Sequence, residues 1–367
     1  SASTMGQITP PVMGAAAFLL AEYTGIPYLR VAMAAGIPAL LAFYSMFIQV
    51  DFMAAFSGLR GIPRPDLPRL RQVLREGGYF LLPLVALVYF LMAGYSPERA
   101  IFWTILVTIA IVLVAGVVRG EARETARQIV LAFRDGGVNT VEVAAICAAA
   151  GIIIGVTTMT GLGLRISTIV LDLSGGSLWL AAPLAAISSL ILGMGIPTTA
   201  NYVIQATLVA PAFVSMGVPL LAAHLFVFYY GLLADVTPPV ALAGFAASGI
   251  AQSDPFRTGV EGFRFGFAKY VVPFLFLTHQ GLLLEGGLLN IISATLAAII
   301  GITALAGVLQ RYFFGPVQLW QMAVLLVGAV AMFTMQAQYW LLGLALIAAV
   351  GASQWVAFRV KPKAVAG

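Results

Sequence analysis

Charge is the first thing this sequence is short of. Asp, Glu, Lys and Arg make up 9% of its 367 residues, where a soluble domain carries about 25%. That leaves too little polar surface to face water. With 61% hydrophobic residues and a mean hydropathy of +1.01, lipid is the natural solvent. Cysteine is nearly missing as well. The single Cys147 sits in an apolar run, which excludes a disulfide within the chain and any zinc or iron–sulfur site built on thiolates. His224 and His279 are too few and too far apart for a histidine metal cluster. The net charge of +5 could point to nucleic acid, but the basic residues stand in short loops between apolar runs, so membrane topology explains them better. There is no initial Met and no charged-then-apolar leader. Ser1-Ala2-Ser3-Thr4 is therefore expected to open a fragment of a longer chain.

What is present is a series of membrane-length runs. A spanning helix needs about 20 mostly apolar residues. Such runs fall near 8–24, 28–50, 79–95, 98–118, 139–160, 219–250, 265–284, 288–310, 317–335 and 339–357. Between 177 and 214 two shorter apolar arms flank Gly193-Met194-Gly195-Ile196-Pro197-Thr198-Thr199-Ala200-Asn201. Arms too short to cross singly predict a re-entrant hairpin with its tip at membrane depth. Placing loops 51–78, 119–138 and 251–264 and the C-terminal tail in the cytoplasm puts 16 of the 19 basic residues inside, Lys269 among them. Only Arg30, Arg99 and Arg165 fall outside, and the opposite orientation would invert that ratio. The hairpin then enters from the outer side. The stretch 119–138 alternates Arg and Glu with small apolar residues and reads as an amphipathic helix on the inner surface, or else as a soluble loop.

Two short segments match. Thr9-Pro10-Pro11-Val12 and Thr237-Pro238-Pro239-Val240 share four residues, and each precedes a run of small side chains. By the charge-derived topology they run in opposite directions, as in an inverted-repeat transporter; a chance Pro-Pro pair is the bland alternative. A proline removes one N–H and blocks a carbonyl four residues back. In hydrocarbon each unpaired backbone group costs several kcal/mol, so such a break survives only where protein, water or an ion completes it. Freed carbonyls suit Na⁺, and helix N-termini favour an anion. Asp235, near the middle of a long apolar segment, costs about 2.5–3.5 kcal/mol on insertion scales and needs a partner. It either caps the second half-helix or meets a cation, and the two roles are compatible. At the hairpin tip Gly193 and Gly195 allow tight turns. Thr198, Thr199 and Asn201 cap the returning arm or touch a ligand. The opening stretch, with Ser3, Thr4, Gly6 and Thr9, offers the same chemistry for the first half. His224 reads as a packed, hydrogen-bonded histidine. The aromatics Tyr79, Tyr89, Trp103, Trp320, Trp340 and Trp355 read as an interfacial belt.

At this point the motifs become familiar. Gly6-Gln7-Ile8-Thr9-Pro10-Pro11-Val12-Met13-Gly14-Ala15, Gly193-Met194-Gly195-Ile196-Pro197-Thr198-Thr199-Ala200 and Ala234-Asp235-Val236-Thr237-Pro238-Pro239-Val240-Ala241 closely resemble the large membrane subunit of TRAP transporters, most of all its TAXI branch, over about residues 1–285. The resemblance implies an all-α polytopic membrane protein with an elevator-type fold, inverted repeats, broken helices and a re-entrant hairpin. It implies import of organic acid anions with a Na⁺ gradient across the bacterial inner membrane. Its implied partners are a periplasmic substrate-binding protein and a small membrane subunit or its fused equivalent.

On that pattern residues 1–24 are the remainder of the first repeat, lacking its hairpin. Residues 25–138 are scaffold and cytoplasmic arm, 139–285 the second repeat with hairpin 177–214 and broken helix 219–250, and 286–367 extra helices with a basic, cytoplasmic tail. One Na⁺ is expected among Gly193, Gly195, Asp235, Thr237 and Pro238, another among Ser3, Thr4, Gly6 and Thr9, and the anion near Thr198, Thr199 and Asn201. No other cofactor and no transition metal is expected. A passive channel and an intramembrane enzyme are the rival classes. The enzyme would want clustered catalytic side chains, which the sequence does not offer.

Overall fold

A computed structural model of the chain describes residues 2–59, 61–63, 66–239 and 241–360. Ser1, Arg60, Arg64, Lys361 and Lys363, and Val240 of the repeat, lie outside these residues. Among the described residues the structure is helical, without strands, apart from one isolated bridge between Tyr312 and Pro316. It is an all-α polytopic membrane fold.

The chain opens with a single turn α1 (Ala2–Met5), a 3₁₀ turn Gly6–Ile8 and a loop through the proline pair. It continues as α2 (Ala15–Thr24) and α3 (Tyr28–Phe56). The segment expected to span at 8–24 is therefore a ten-residue helix behind a loop. Pro10 and Pro11 supply no N–H to a helix there. At 29 residues α3 outruns the hydrocarbon layer, spanning ~44 Å against ~30 Å. Next come α4 (Leu70–Gly77), α5 (Leu82–Met92) and α6 (Pro97–Arg119). Arg119 closes α6 and Gly120 turns the chain at φ 76°, a left-handed conformation that glycine tolerates.

The structure then departs from expectation. Residues 119–138 are not a separate surface helix. They begin α7 (Ala122–Thr160), a continuous 39-residue helix that runs back along α6. Gly116 is the reason it can lie so close: a Cβ there would stand 2.8 Å from Thr125 Cβ. Gln128, Ile129 and Phe133 share a groove with Ile105, Ile109 and Val112. Alternating charge describes one face of a helix and leaves open whether its other face meets lipid or protein. At ~58 Å this helix outruns the membrane at one end at least. A further helix absent from the expected spans, α8 (Leu162–Ser174), follows a turn at Gly161.

The hairpin is as expected. α9 (Leu178–Leu192) and α10 (Thr198–Leu208) are joined by a turn, and α11 (Ala210–Ser215) completes the returning arm. The expected span 219–250 is broken: α12 (Leu220–Leu233), a 3₁₀ turn Ala234–Val236, then α13 (Leu242–Ala251). α14 (Pro255–Thr278) is capped by Asp254, whose Oδ1 accepts the Arg257 N–H at 2.8 Å. The chain ends with α15 (Leu288–Gln310), α16 (Leu319–Phe333) and α17 (Ala337–Val360). α3, α6, α15 and residues 338–356 of α17 are long and apolar enough to cross a membrane. Lys269, expected with the cytoplasmic charges, is instead fully buried inside α14.

The core lies where the two broken helices pack with their neighbours. α12 is buried on nearly every side, its residues 221–233 shielded by α9, α10, α14 and α2. A helix apolar all round needs such surroundings. Phe213, Phe226, Tyr230 and Phe274 interlock by edge-on and tilted ring contacts beside it.

Candidate transport site

The site begins with two prolines. Pro238 and Pro239 carry no N–H, so the carbonyls of Ala234 and Asp235 lose the partners an unbroken helix would supply four residues on. The chain answers by tightening into the 3₁₀ turn Ala234–Val236 and then extending at Thr237, ψ 125°. Thr237 repairs part of the break: its N–H donates to Ala234 O at 3.2 Å and its hydroxyl to Leu233 O at 2.6 Å. Tyr270 of α14 adds a second bond, its hydroxyl 2.8 Å from Thr237 Oγ1 and donating to Leu233 O at 3.3 Å. The turn closes with Ala241 N–H to Thr237 O at 3.0 Å and a positive φ of 34° at Ala241, and α13 starts at the next residue.

The first break repeats this pattern bond for bond. Thr9 N–H donates to Gly6 O at 3.2 Å, and its hydroxyl to Met5 O at 2.7 Å. Met13 N–H reaches Thr9 O at 3.1 Å, and Met13 has φ 52°. A ten-residue helix follows in each case, and both Pro–Pro bonds are cis. A tyrosine hydroxyl braces this break too: Tyr28 donates to Pro11 O at 2.9 Å and Val12 O at 2.7 Å. The match therefore extends beyond the four shared residues. It sets Met5 against Leu233, Gly6 against Ala234 and Gln7 against Asp235. Sequence reading missed the Gln7–Asp235 correspondence, because an amide and a carboxylate do not look alike in a string.

The hairpin tip closes on the second break. Gly193 is buried there, and a Cβ on it would stand 2.6 Å from Ala234 Cβ and overlap the Asn201 amide. Only glycine lets the tip come this close. Gly195, at φ 78°, is exposed and faces open space, so its role is to turn the chain. Thr198 Oγ1 donates to Asp235 Oδ2 at 3.5 Å, a long bond between the tip and the carboxylate. Asp235 is half-buried and Thr198 buried.

Asn201 looks inward. Its Nδ2 donates to Gly231 O at 2.9 Å and its Oδ1 accepts from Gln205 Nε2. Gln205 Nε2 also donates to Ser189 O at 3.1 Å, joining the two hairpin arms. Asn201 thus ties α10 to α12, and Gln205, Gly231 and Tyr270 join the site as residues the sequence did not single out. A buried glutamine four residues after Asn201 on the same helix face was the available signal. The Ser189 hydroxyl and the acceptor Gln205 Oε1 are buried with no protein partner among the described residues.

The structure gathers Gly193, Thr198, Asn201, Asp235 and Thr237 into one place. Thr199, half-exposed, and Pro238 stand beside them. Ser3, Thr4, Gly6 and Thr9 lie at the first break, in and just after α1. Thr9 directs its bonds to Met5 O and Gly6 O, within this break. His224 is packed as expected: Tyr202 OH lies 2.9 Å from its Nδ1, with both buried. Among the described residues no group of three His, Cys, Asp or Glu could hold a metal ion.

A family model described as "Tripartite ATP-independent periplasmic transporter, DctM component" matches residues 1–291. A search of curated proteins finds no match.

Proposed function

The chain belongs to the DctM family, the large membrane component of tripartite ATP-independent periplasmic transporters, and on that premise we propose that it imports an organic acid anion by Na⁺ symport, as a TAXI-branch permease. It is a permease subunit of a secondary transporter. A periplasmic binding protein delivers the substrate, a small membrane subunit or its fused equivalent completes the complex, and the inner membrane is its place.

The observation that carries this reading is the closure of the hairpin tip on the second break, with Thr198 against Asp235 and Gly193 against Ala234. Backbone carbonyls stripped of helical partners, a carboxylate and a threonine hydroxyl form an all-oxygen set that suits a hard monovalent cation. The N-termini of α10 and α13 point positive dipole ends at the same space and favour the anion's carboxylate. Each net positive charge carried inward gains about 2.3 kcal/mol per 100 mV, so more Na⁺ than substrate charge draws on the membrane potential.

The transport step is a movement of one body against another. α1–α3 and α9–α14 form the site-bearing body: Gln49 of α3 donates to Phe265 O of α14 at 2.7 Å, and Tyr23 of α2 pairs with Thr207 of α10 at 2.9 Å. We accordingly assign α3 to this body and place the scaffold boundary in 57–69, beyond residue 25. α5 and α6 meet it across an apolar groove where Val12 and Phe18 face Leu84, Leu87, Ile101 and Ile105. Thr104, Thr108 and Arg119 direct their side-chain hydrogen bonds inside 78–119, to Ala100 O, Thr104 O and the Tyr79 hydroxyl. Apolar surfaces exchange with lipid at little cost, which is what a sliding contact needs.

The test is Na⁺-driven uptake in liposomes by the full-length complex with its binding protein, compared with Asp235→Ala. Loss of Na⁺ dependence in the variant supports the site. An unchanged rate and Na⁺ affinity removes Asp235 from it.

A further inference from the structure

The family match ends just inside α15, so it leaves α15, α16 and α17 unassigned. These three helices form one unit. Gly301 of α15 lies under the Phe333 ring of α16. Gly328 of α16 lies against α17, where a Cβ would stand 2.8 Å from Ile347 Cγ1 and 3.3 Å from Gly343 O. Gln321 Nε2 donates to Ser353 Oγ at 3.0 Å, and Gln354 Nε2 to Gln321 Oε1 at 3.3 Å.

The unit is bonded to the body that carries the breaks. Tyr44 OH of α3 is 2.6 Å from Thr303 Oγ1 of α15. Gln310 Nε2 donates to Gln49 Oε1 at 3.3 Å, and Gln49 in turn donates to α14 at Phe265 O. Arg264 of α14 donates to Leu309 O at 3.2 Å. Both glutamines are fully buried. The buried side of α15 is rich in small residues, Ala294, Ala297, Ala298, Gly301 and Ala304, which let neighbouring helices approach closely. The unit packs on the rest of the chain mainly through α3, α14 and the 3₁₀ turn Gln280–Leu283.

From this distribution of bonds we propose that α15–α17 travel with the site-bearing body and are not part of the fixed scaffold. The proposal rests on the moving-body reading above. Pulling α15 away from α3 would strand Gln310 Nε2, Gln49 Oε1 and the Tyr44 hydroxyl in hydrocarbon, where each unpaired polar group is costly. Sliding along the groove that faces α5 and α6 leaves all of these bonds in place. The path of least cost therefore lies between the scaffold and a body that includes the last three helices.

Spin labels at three exposed positions separate the possibilities: Phe47 on α3 (69% exposed), Val114 on α6 (64%) and Val330 on α16 (56%). Full-length protein with Cys147→Ser carries pairs of Phe47→Cys, Val114→Cys and Val330→Cys, each pair first checked for uptake. Distances are read by pulsed electron resonance in Na⁺ and in K⁺. The expected result is that the 47–114 and 114–330 distances shift by several ångström while 47–330 stays fixed. A shifting 47–114 distance with a fixed 114–330 distance overturns the proposal and leaves the moving body intact. A 47–114 distance that never changes removes the moving-body reading itself, and the proposal with it.

Discussion

Gly193→Ala is the sharpest perturbation the site allows. The new methyl group would have to occupy space held by the Asn201 amide and by Ala234 Cβ, 2.6 Å away. Ala234 belongs to the 3₁₀ turn and Asn201 is bonded to Gly231 O, so neither neighbour is the free end of a flexible chain. Overpacking of this kind costs about 1–3 kcal/mol. A strain of about 2 kcal/mol falls on the closed tip alone, since an open hairpin has room for the methyl. If the cation needs the closed tip, its affinity falls roughly thirtyfold at about 1.4 kcal/mol per tenfold. The assay is Na⁺ half-saturation of uptake and of thermal stabilisation in the purified full-length protein. Gly195→Ala is the control, because it strains a left-handed backbone but meets no atom within 4 Å. A Gly193→Ala protein with normal half-saturation would refute the claim that the tip must press on the break.

Thr237→Val keeps the shape but deletes the hydroxyl that bonds Leu233 O and Tyr270, and should cost about 1–2 kcal/mol, read by thermal unfolding together with a rise in Na⁺ half-saturation. Tyr270→Phe should cost about 1 kcal/mol, and the double variant should cost less than the two losses combined, because the residues share one network. Gly116→Ala should lower stability by about 1–3 kcal/mol, since a Cβ there would crowd Thr125. Na⁺ half-saturation should remain normal, because Gly116 lies on α6, away from both breaks; a matching loss of Na⁺ affinity would contradict that separation.

The parts of the fold legible in the string were those fixed by local chemistry. A Gly-x-Gly-x-Pro stretch between two short apolar arms can only turn, and a Pro-Pro pair inside an apolar segment can only break it. The hairpin and the broken span 219–250 followed directly. The long helix α7 was hidden because its first turns alternate Arg and Glu with small residues. That pattern marks an amphipathic helix without naming what its apolar face meets. Lys269 was misplaced for a related reason: counting charges near segment ends says which side of the membrane a loop is on, and says nothing of which way a side chain within a helix turns. Within the site, Gly193, Thr198 and Asp235 were legible because glycine, hydroxyl and carboxylate are rare and costly in lipid. The inward role of Asn201 was not, because whether an amide faces a ligand or a neighbouring helix depends on Gly231 and Gln205, set by packing across α10 and α12. Gln7 went unseen until the two breaks could be compared bond by bond.

The central claim is that an ion completes the backbone bonding of the second break under the hairpin tip. Its most direct measurement is the melting temperature of full-length protein titrated with NaCl against KCl, wild type beside Asp235→Ala. A ligand held only by the folded state stabilises by about 2.7 kcal/mol at a hundred times its Kd. Wild type should therefore rise with Na⁺ well above K⁺ at equal ionic strength, and the variant should lose that difference. Equal curves for the two salts in wild type, or an undiminished Na⁺ response in Asp235→Ala, would contradict the account.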